Sequence, residues 1–512
     1  MSAGRACRAI FLNPPTAAGS SEPLLNMAYL ASAMRAKGHE AIVLDAKATH
    51  KPLDEKAIEK KVREFRPDFI GVTLTITYIP ATYLYLKRLK KLGIPIVAGG
   101  PHANCVPEEV IANGADIVSI GEGEETIVEL ADYFLGRKRL ETIAGICFRN
   151  KDGSHKYTKP RVLIEDLDSI PFPDFRDFPI ENYTGSKDPD SNSVFWAIFS
   201  SRGCPFNCIF CSSHNVFGRT FRARSPENVF DEIRDIHEKY GAKRFAFQDD
   251  EAFINKKRVI EFCDLVKKSG LGISFSARLR VDSLDEEMLM AMKESGFTRL
   301  AFGIESFNDE SLEKMNKKYT TGQIFQGLGI LKKTGFRHIH FNNLVGFPWE
   351  NPSHLEDCAN KISKIPKGIV YFCGANTLIP YPGTKLYQDN HKKYGFTGWW
   401  LNPEMNSEKE VCSKGAFFME FVSSYAPLYS EELFWGHGEE MKKALNEFCW
   451  RVSSMQLKRC FGFWEYLSAY WLSRASWLIW KLNPGLEKAL FYIPKKVVKA
   501  LGFAEKAQFR NY

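Results

Sequence analysis

Cys204, Cys208 and Cys211 fall within eight residues, in the run Ser-Arg-Gly-Cys-Pro-Phe-Asn-Cys-Ile-Phe-Cys, just after an apolar stretch that reads as a strand. No fourth cysteine stands in step with them. Thiolates hold a cubane iron–sulfur cluster one iron each, so three of them leave one iron with an open coordination position where a substrate or cofactor can bind. The competing reading is structural zinc, because His214 follows where it would complete a Cys3His tetrahedron. Zinc knuckles usually bring their ligands as two pairs from separate turns, whereas here one compact run carries three cysteines with Phe210 before the last.

At 512 residues the chain exceeds the usual size of one core, so two or three domains are expected. Hydrophobic and charged fractions of 44% and 25% are those of a globular protein and exclude bulk disorder. The twelve cysteines show no paired framework, and Ala9-Ile10-Phe11-Leu12-Asn13-Pro14-Pro15 lacks a signal-peptide layout, so reduced thiols in the cytoplasm are expected. The net charge of +8 is modest for this length; a basic surface facing a membrane explains it as well as nucleic acid does, and no nucleic-acid partner is expected.

Residues 1–140 alternate short apolar strands (Ala9–Leu12, Glu40–Leu44, Phe69–Leu74, Pro95–Ala98, Ile117–Ile120) with amphipathic helices around Asn26–Lys37, Asp54–Phe65 and Pro80–Leu92. Such alternation predicts a parallel, doubly wound Rossmann-like α/β sheet. Ligands bind such sheets beyond the carboxyl ends of the strands. The candidates there are Asn13-Pro14-Pro15, Thr73-Leu74-Thr75, Gly99-Gly100-Pro101-His102 and Gly121-Glu122-Gly123-Glu124. Residues 141–192, rich in proline and polar residues and without sustained periodicity, read as a linker.

From 193 to 387 strand and helix cycle six times, which predicts a partial (β/α)6 barrel of TIM type. Its strands are Val194–Ser200, Arg244–Gln248, Ser274–Arg278, Arg299–Ile304, His338–Leu344 and Val370–Ile379, and Ser225-Pro226-Glu227 opens one of its helices with a serine cap. Barrels of this kind carry their active sites at the C-terminal strand ends. There the sequence places the cysteine triplet, then Gln248-Asp249-Asp250-Glu251, then Arg278 and Arg280 with Asp282, then Phe302-Gly303-Ile304-Glu305-Ser306. For Asp250 the other reading is an acidic N-cap of the next helix. For either arginine it is a surface salt bridge.

The triplet with Phe210, followed in order by these motifs and by Gly346-Phe347-Pro348-Trp349-Glu350 and Pro380-Tyr381-Pro382-Gly383-Thr384, resembles the radical S-adenosylmethionine (SAM) superfamily. The preceding Thr73-Leu74-Thr75 and Gly99-Gly100 elements are similar to those of the cobalamin-binding domain in one large group of that superfamily, and the resemblance covers about residues 8 to 390. It implies a [4Fe-4S] cluster on Cys204, Cys208 and Cys211, with Phe210 near the SAM adenine. It also implies SAM contacts from Asp249, Asp250, Arg280, Glu305 and Ser306, and cobalamin contacts around Thr73, Thr75, Gly99, Gly100, His102 and Glu122. The chain departs from other cobalamin proteins in one respect: Asn13–Gly19 lacks the Asp-x-His-x-x-Gly signature whose histidine ligates cobalt, and His102 is a loop residue rather than its replacement.

The resemblance implies reductive cleavage of SAM to a 5′-deoxyadenosyl radical and methylation of an unactivated carbon, fed by a donor such as flavodoxin or ferredoxin, and the apolar, aromatic C-terminal region points to a small hydrophobic substrate. The alternative within enzymes is anaerobic oxidative ring closure or another radical rearrangement of a lipid or tetrapyrrole, as in the magnesium-protoporphyrin ester cyclase group. The rival from another class is a zinc-stabilised binding protein without turnover.

Residues 388–512 differ in character, with eight of the ten tryptophans between Trp399 and Trp480 and only Glu465 and Arg474 charged within Phe461–Trp480. That stretch barely reaches the roughly 20 residues a bilayer span needs. Lys481, Lys488, Lys495, Lys496 and Lys499 follow it. Two readings stand side by side: a mainly helical cap on the barrel mouth, or an aromatic helix through 461–512 lying peripherally on the inner membrane face.

Overall fold

The computed structural model describes residues 5–15, 22–48, 53–76, 79–183, 195–336, 338–402 and 438–460. The N-terminal sheet contains β1 (Arg8–Asn13), β2 (Glu40–Asp45), β3 (Phe69–Thr73), β4 (Ile96–Gly99), β5 (Ile117–Ser119), β6 (Ile146–Arg149) and β7 (His155–Tyr157). Their order is β2-β1-β3-β4-β5-β6-β7; the first five run parallel, and β6 and β7 add antiparallel at the edge. This last pair lies within the stretch that reads as a linker. Along β1, Ala9 and Phe11 join one buried cluster while Ile10 and Leu12 join another. Side chains alternate between the faces of a strand, so a strand apolar on both faces needs helices on both sides. Helices Leu25–Ala36 and Glu124–Phe134 cover the first face, and Glu55–Phe65 with Ile79–Leu89 cover the second.

The second sheet comprises β8 (Phe195–Ile198), β11 (Arg244–Phe247), β12 (Ser274–Leu279), β13 (Phe297–Glu305), β14 (His338–Val345) and β15 (Val370–Thr377), with the two-residue strands β9 (Ser201–Arg202) and β10 (Arg222–Ala223) forming a separate ribbon. All six main strands pair parallel in the order β15-β14-β13-β12-β11-β8, a partial barrel open between its two edge strands. Local chemistry fixes the intervening helices. Ser225 accepts from the Asn228 amide, Pro226 occupies the first turn, and Gly241 at φ 65° ends the helix.

The two sheets share their cores. One buried cluster runs from Phe11 and Tyr29 to Trp196 and Phe245, and the other joins Ile70 and Val110 to Phe347, Leu378 and Trp400. Trp400 Nε1 also donates to Glu109 at 3.0 Å. Helix Glu439–Cys460 packs against helix Pro352–Ser363 and β15, burying Met441, Leu445, Phe448 and Val452 at helical spacing. Its Arg459 donates to the carbonyls of Ile365, Pro366 and Ile369. The stretch Phe461–Trp480 and the lysines after it lie outside the described residues. Among the described residues no helix is long and apolar enough to cross a membrane.

Candidate cluster and cofactor site

Beyond β8 the chain forms a lasso. β9 and β10 pair antiparallel as its neck, and residues 203–221 between them carry the three cysteines, each half-buried. Gly203 sits at φ +81°, and a Cβ there would stand 2.2 Å from the Thr220 carbonyl oxygen, so the neck closes only on glycine. The loop is pinned at its far end: the Ile209 amide donates to Met315 O at 3.1 Å, Asn316 Nδ2 donates to Asn207 O at 2.6 Å, and the Leu386 amide donates to Ile209 O at 2.9 Å. Burial pushes the Cys204 thiol up to about 11. It pushes Cys208 up as well, against the pull of Lys317 and Arg280. Among the described residues, no three His, Cys, Asp or Glu side chains converge as the ligands of a single ion. Cysteines that each reach a different iron of a cubane need no such convergence.

Three consecutive carboxylates after β11 lie beside the lasso with buried oxygens lacking a protein partner: Asp249 Oδ2, Asp250 Oδ2 and Glu251 Oε1. The other oxygen of Asp249 accepts from the Ser200 amide and hydroxyl, both at 2.9 Å, and from the Ser201 hydroxyl at 2.6 Å, so this residue also braces the lasso stem. Burial raises all three above the usual carboxylate range, Glu251 to about 7. Asp250 is not the cap of the next helix, since Asn255 holds that position. Glu251 closes the same motif as Asp249 and Asp250, and its burial, which arises from tertiary packing alone, leaves no mark in the sequence.

Glu305 ends β13 at φ 67°, a left-handed conformation that a non-glycine residue holds only when its surroundings impose it. The β13–β14 register shifts there, between Gly303 and Glu305. Its buried carboxyl lies 3.7 Å from Lys317 Nζ. Burial raises it, with Lys317 opposing. Ser306 is turned inward: its hydroxyl lies 3.3 Å from Cys358 Sγ and accepts from the Asn308 amide at 3.1 Å.

Arg280, which the resemblance places at SAM, is engaged with protein partners. Its Nε and Nη2 each meet Asp282 at 3.0 Å, Nη2 also donates to Lys317 O at 2.8 Å, and its plane stands over Phe206 and Tyr319. Three of its N–H donors are therefore taken by Asp282 and Lys317 O, and its contact with the lasso is the face it lays on Phe206. Phe210 packs edge-on to Phe347, which brings the Gly346-Phe347-Pro348 motif to the cysteines. Lys317, buried between Glu305 and Cys208, was missed; only the positive φ of its neighbours Asn316 and Lys318 marks it, and that is invisible in sequence.

At the N-terminal sheet, Gly100 sits at φ +95° with its missing Cβ 2.7 Å from Thr73 Oγ1 and 2.9 Å from Leu74 O, so protein packing alone demands this glycine. Gly99 is different. A Cβ there would meet nothing nearer than Ser119 Cβ at 3.9 Å, and the buried Ser119 hydroxyl has no partner. Thr73 Oγ1 accepts from Asn26 at 3.1 Å, and Thr75 is exposed beyond the strand end. His102 is buried, with Nε2 3.2 Å from the Tyr83 hydroxyl and its ring against Trp400, so it faces the domain interior. Glu122, expected at cobalamin, has both oxygens taken: Oε1 by Arg202 and Arg222 at 3.0 Å each, Oε2 by Arg222 at 3.0 Å and the Ile164 amide at 2.7 Å.

The radical SAM superfamily model matches residues 198–362, and the B12 binding domain model matches residues 16–131. An uncharacterized methyltransferase of Pyrococcus horikoshii is 35% identical over 374 residues, covering 72% of this chain and 79% of its own. The chain belongs to the B12-binding radical SAM family. An anaerobic magnesium-protoporphyrin IX monomethyl ester cyclase of Rubrivivax gelatinosus is 30% identical to this radical SAM protein across 83% of this chain and 78% of its own. The fold is shared with the radical SAM methyltransferase TsrM of Kitasatospora setae, solved with cobalamin and a [4Fe-4S] cluster bound, at TM-score 0.63 and 17% identity, covering 76% of each chain. Membership makes this protein an enzyme whose cofactor classes are SAM and cobalamin, and it overturns the zinc-stabilised binding protein.

Proposed function

We propose that this radical SAM enzyme holds a [4Fe-4S] cluster on Cys204, Cys208 and Cys211, binds SAM at its open iron, and with cobalamin methylates a carbon of a hydrophobic substrate. The carrying observation is the set of buried, partnerless oxygens on Asp249, Asp250 and Glu251 beside the cysteine lasso. Buried carboxylate oxygens are ordinarily paired, so this cluster calls for a cationic ligand. SAM, with its ammonium and sulfonium, is such a ligand.

When bound, the cluster supplies one-electron cleavage of SAM, and cobalamin supplies a methyl carrier. The chain's own residues do the rest. Arg280 and Asp249 hold the lasso, Phe210 would offer an apolar face to an adenine, and the paired Glu305 carboxylate and Lys317 ammonium would offer polar contacts to the ribose and carboxylate of SAM. On the other domain, Gly99 leaves room and Ser119 an unused hydroxyl for the cobalamin tail, beside Thr73, Thr75 and Gly100. A low-potential donor such as flavodoxin or ferredoxin completes the requirements.

Oxidative ring closure is a second reading, favoured by the 30% identity to a magnesium-protoporphyrin ester cyclase over most of both chains. Anaerobic reconstitution with iron, sulfide and hydroxocobalamin, followed by SAM and dithionite, tests the proposal. Formation of 5′-deoxyadenosine together with a bound corrin spectrum is expected. A protein that binds a cluster yet leaves SAM intact contradicts it, and SAM cleavage without a bound corrin moves the reading to radical chemistry without methyl transfer.

A further inference from the structure

The neck of the cysteine lasso is two residue pairs long, and in it Arg202 stands directly across from Arg222. Two guanidiniums paired across strands repel. Both are buried, at 6% and 8% exposure, so water does little to screen them. What reconciles them belongs to the other domain. Glu122, from the loop after β5, places one oxygen 3.0 Å from each arginine and is itself only 3% exposed. Glu124, at the start of the helix that follows, takes Arg202 Nη2 at 2.5 Å, and Arg222 Nη1 also donates to Ile164 O at 2.5 Å. Burial works against the Arg202 charge, and Glu124 and Glu122 more than offset it.

The connection is short at both ends. Arg202 precedes Gly203 and Cys204, where the lasso leaves its neck. Glu122 follows Gly121, whose amide is held by Asn104 Oδ1 at 2.6 Å, at the end of the strand that carries Ser119. One carboxylate thus joins the strand end that carries Ser119 to the stem of the cysteine loop, within a few residues of each.

We propose that Glu122 is a positioning residue through which the B12-binding domain sets the geometry of the iron–sulfur loop, and is not itself a cobalamin contact. The inference rests on the cluster reading above, but its test compares variants of a protein that forms a cluster, so failure of wild-type cluster formation sinks that reading and not this one. Removing the Glu122 charge leaves Arg222 without a carboxylate and opposed to Arg202, which keeps Glu124 alone, and a buried charge stripped of its partner is strongly unfavourable. Removing Arg222 as well relieves the opposition.

The test uses the full chain, reconstituted anaerobically, as Glu122→Gln, Glu122→Asp and the double variant Glu122→Gln/Arg222→Gln. Iron and sulfide content, the EPR spectrum of the reduced cluster with and without SAM, and hydroxocobalamin affinity from optical titration are read on each. Expected for Glu122→Gln are hydroxocobalamin affinity near wild type, loss of iron, and a broadened EPR signal that no longer shifts with SAM. Partial recovery in Glu122→Asp and in the double variant is also expected. Loss of hydroxocobalamin affinity with an unchanged EPR response overturns the proposal in favour of a cofactor contact. Equal failure of Glu122→Gln and the double variant, in fold or in spectrum, overturns the keystone role.

Discussion

The guanidinium of Arg280 lies 3.6 Å from the centre of the Phe206 ring, two residues beyond Cys204. An arginine expected from sequence to grip a ligand therefore grips the loop that holds the cysteines, with Asp282 fixing its plane from behind. Lysine carries the same charge without the flat face or the two-pronged contact. Arg280→Lys is expected to loosen the loop by about 1–3 kcal/mol. Chelator challenge of the reconstituted protein checks this. The variant should release iron faster than wild type while its circular dichroism is unchanged, and equal release rates would contradict the bracing role.

Glu251 gives a pH signature. Its carboxyl is raised by burial from 4.5 to about 7, so between those values the folded cluster-free protein holds a proton that the unfolded chain has lost. Stability then falls as pH rises through that window and levels off above it, by up to roughly 3 kcal/mol. Denaturant titrations across the window should show this slope in wild type and a flatter one in Glu251→Gln. SAM affinity should move the other way, strengthening as pH rises through about 7 in wild type, because the charged carboxylate is the form that attracts a cation. A pH-independent affinity in wild type would remove Glu251 from the SAM site.

The two glycines after β4 should separate cleanly. Gly100→Ala forces a Cβ against Thr73 and Leu74 at a positive φ and is expected to cost about 1–3 kcal/mol of stability. Gly99→Ala meets no protein atom closer than 3.9 Å, so its stability should stay near wild type while hydroxocobalamin affinity drops. Thermal melts and optical titrations on the two variants decide the matter; unchanged affinity in Gly99→Ala would remove that face from the tail site.

The parallel sheets, the partial barrel and the capped helix at Ser225 were legible because each rests on local periodicity or a cap within a few residues. The hairpin β6–β7 was passed over, although Asn150-Lys151-Asp152-Gly153-Ser154 is a turn signal and Gly153 donates to Asn150 O at 3.0 Å; its strands are only four and three residues long. Site roles were harder. Lys317, Ser119 and Glu251 owe their importance to burial beside residues distant in the chain. Glu122 and Arg280, read as ligand contacts from motif position, are committed to protein partners that no local pattern announces.

The central claim is a three-cysteine cluster with an iron left open for SAM. EPR of the dithionite-reduced, anaerobically reconstituted protein, recorded before and after SAM is added, tests it most directly. The account predicts a signal of a reduced [4Fe-4S] cluster that changes shape when SAM binds and disappears in Cys208→Ala. A protein that forms no such cluster, or one whose signal ignores SAM, would contradict it.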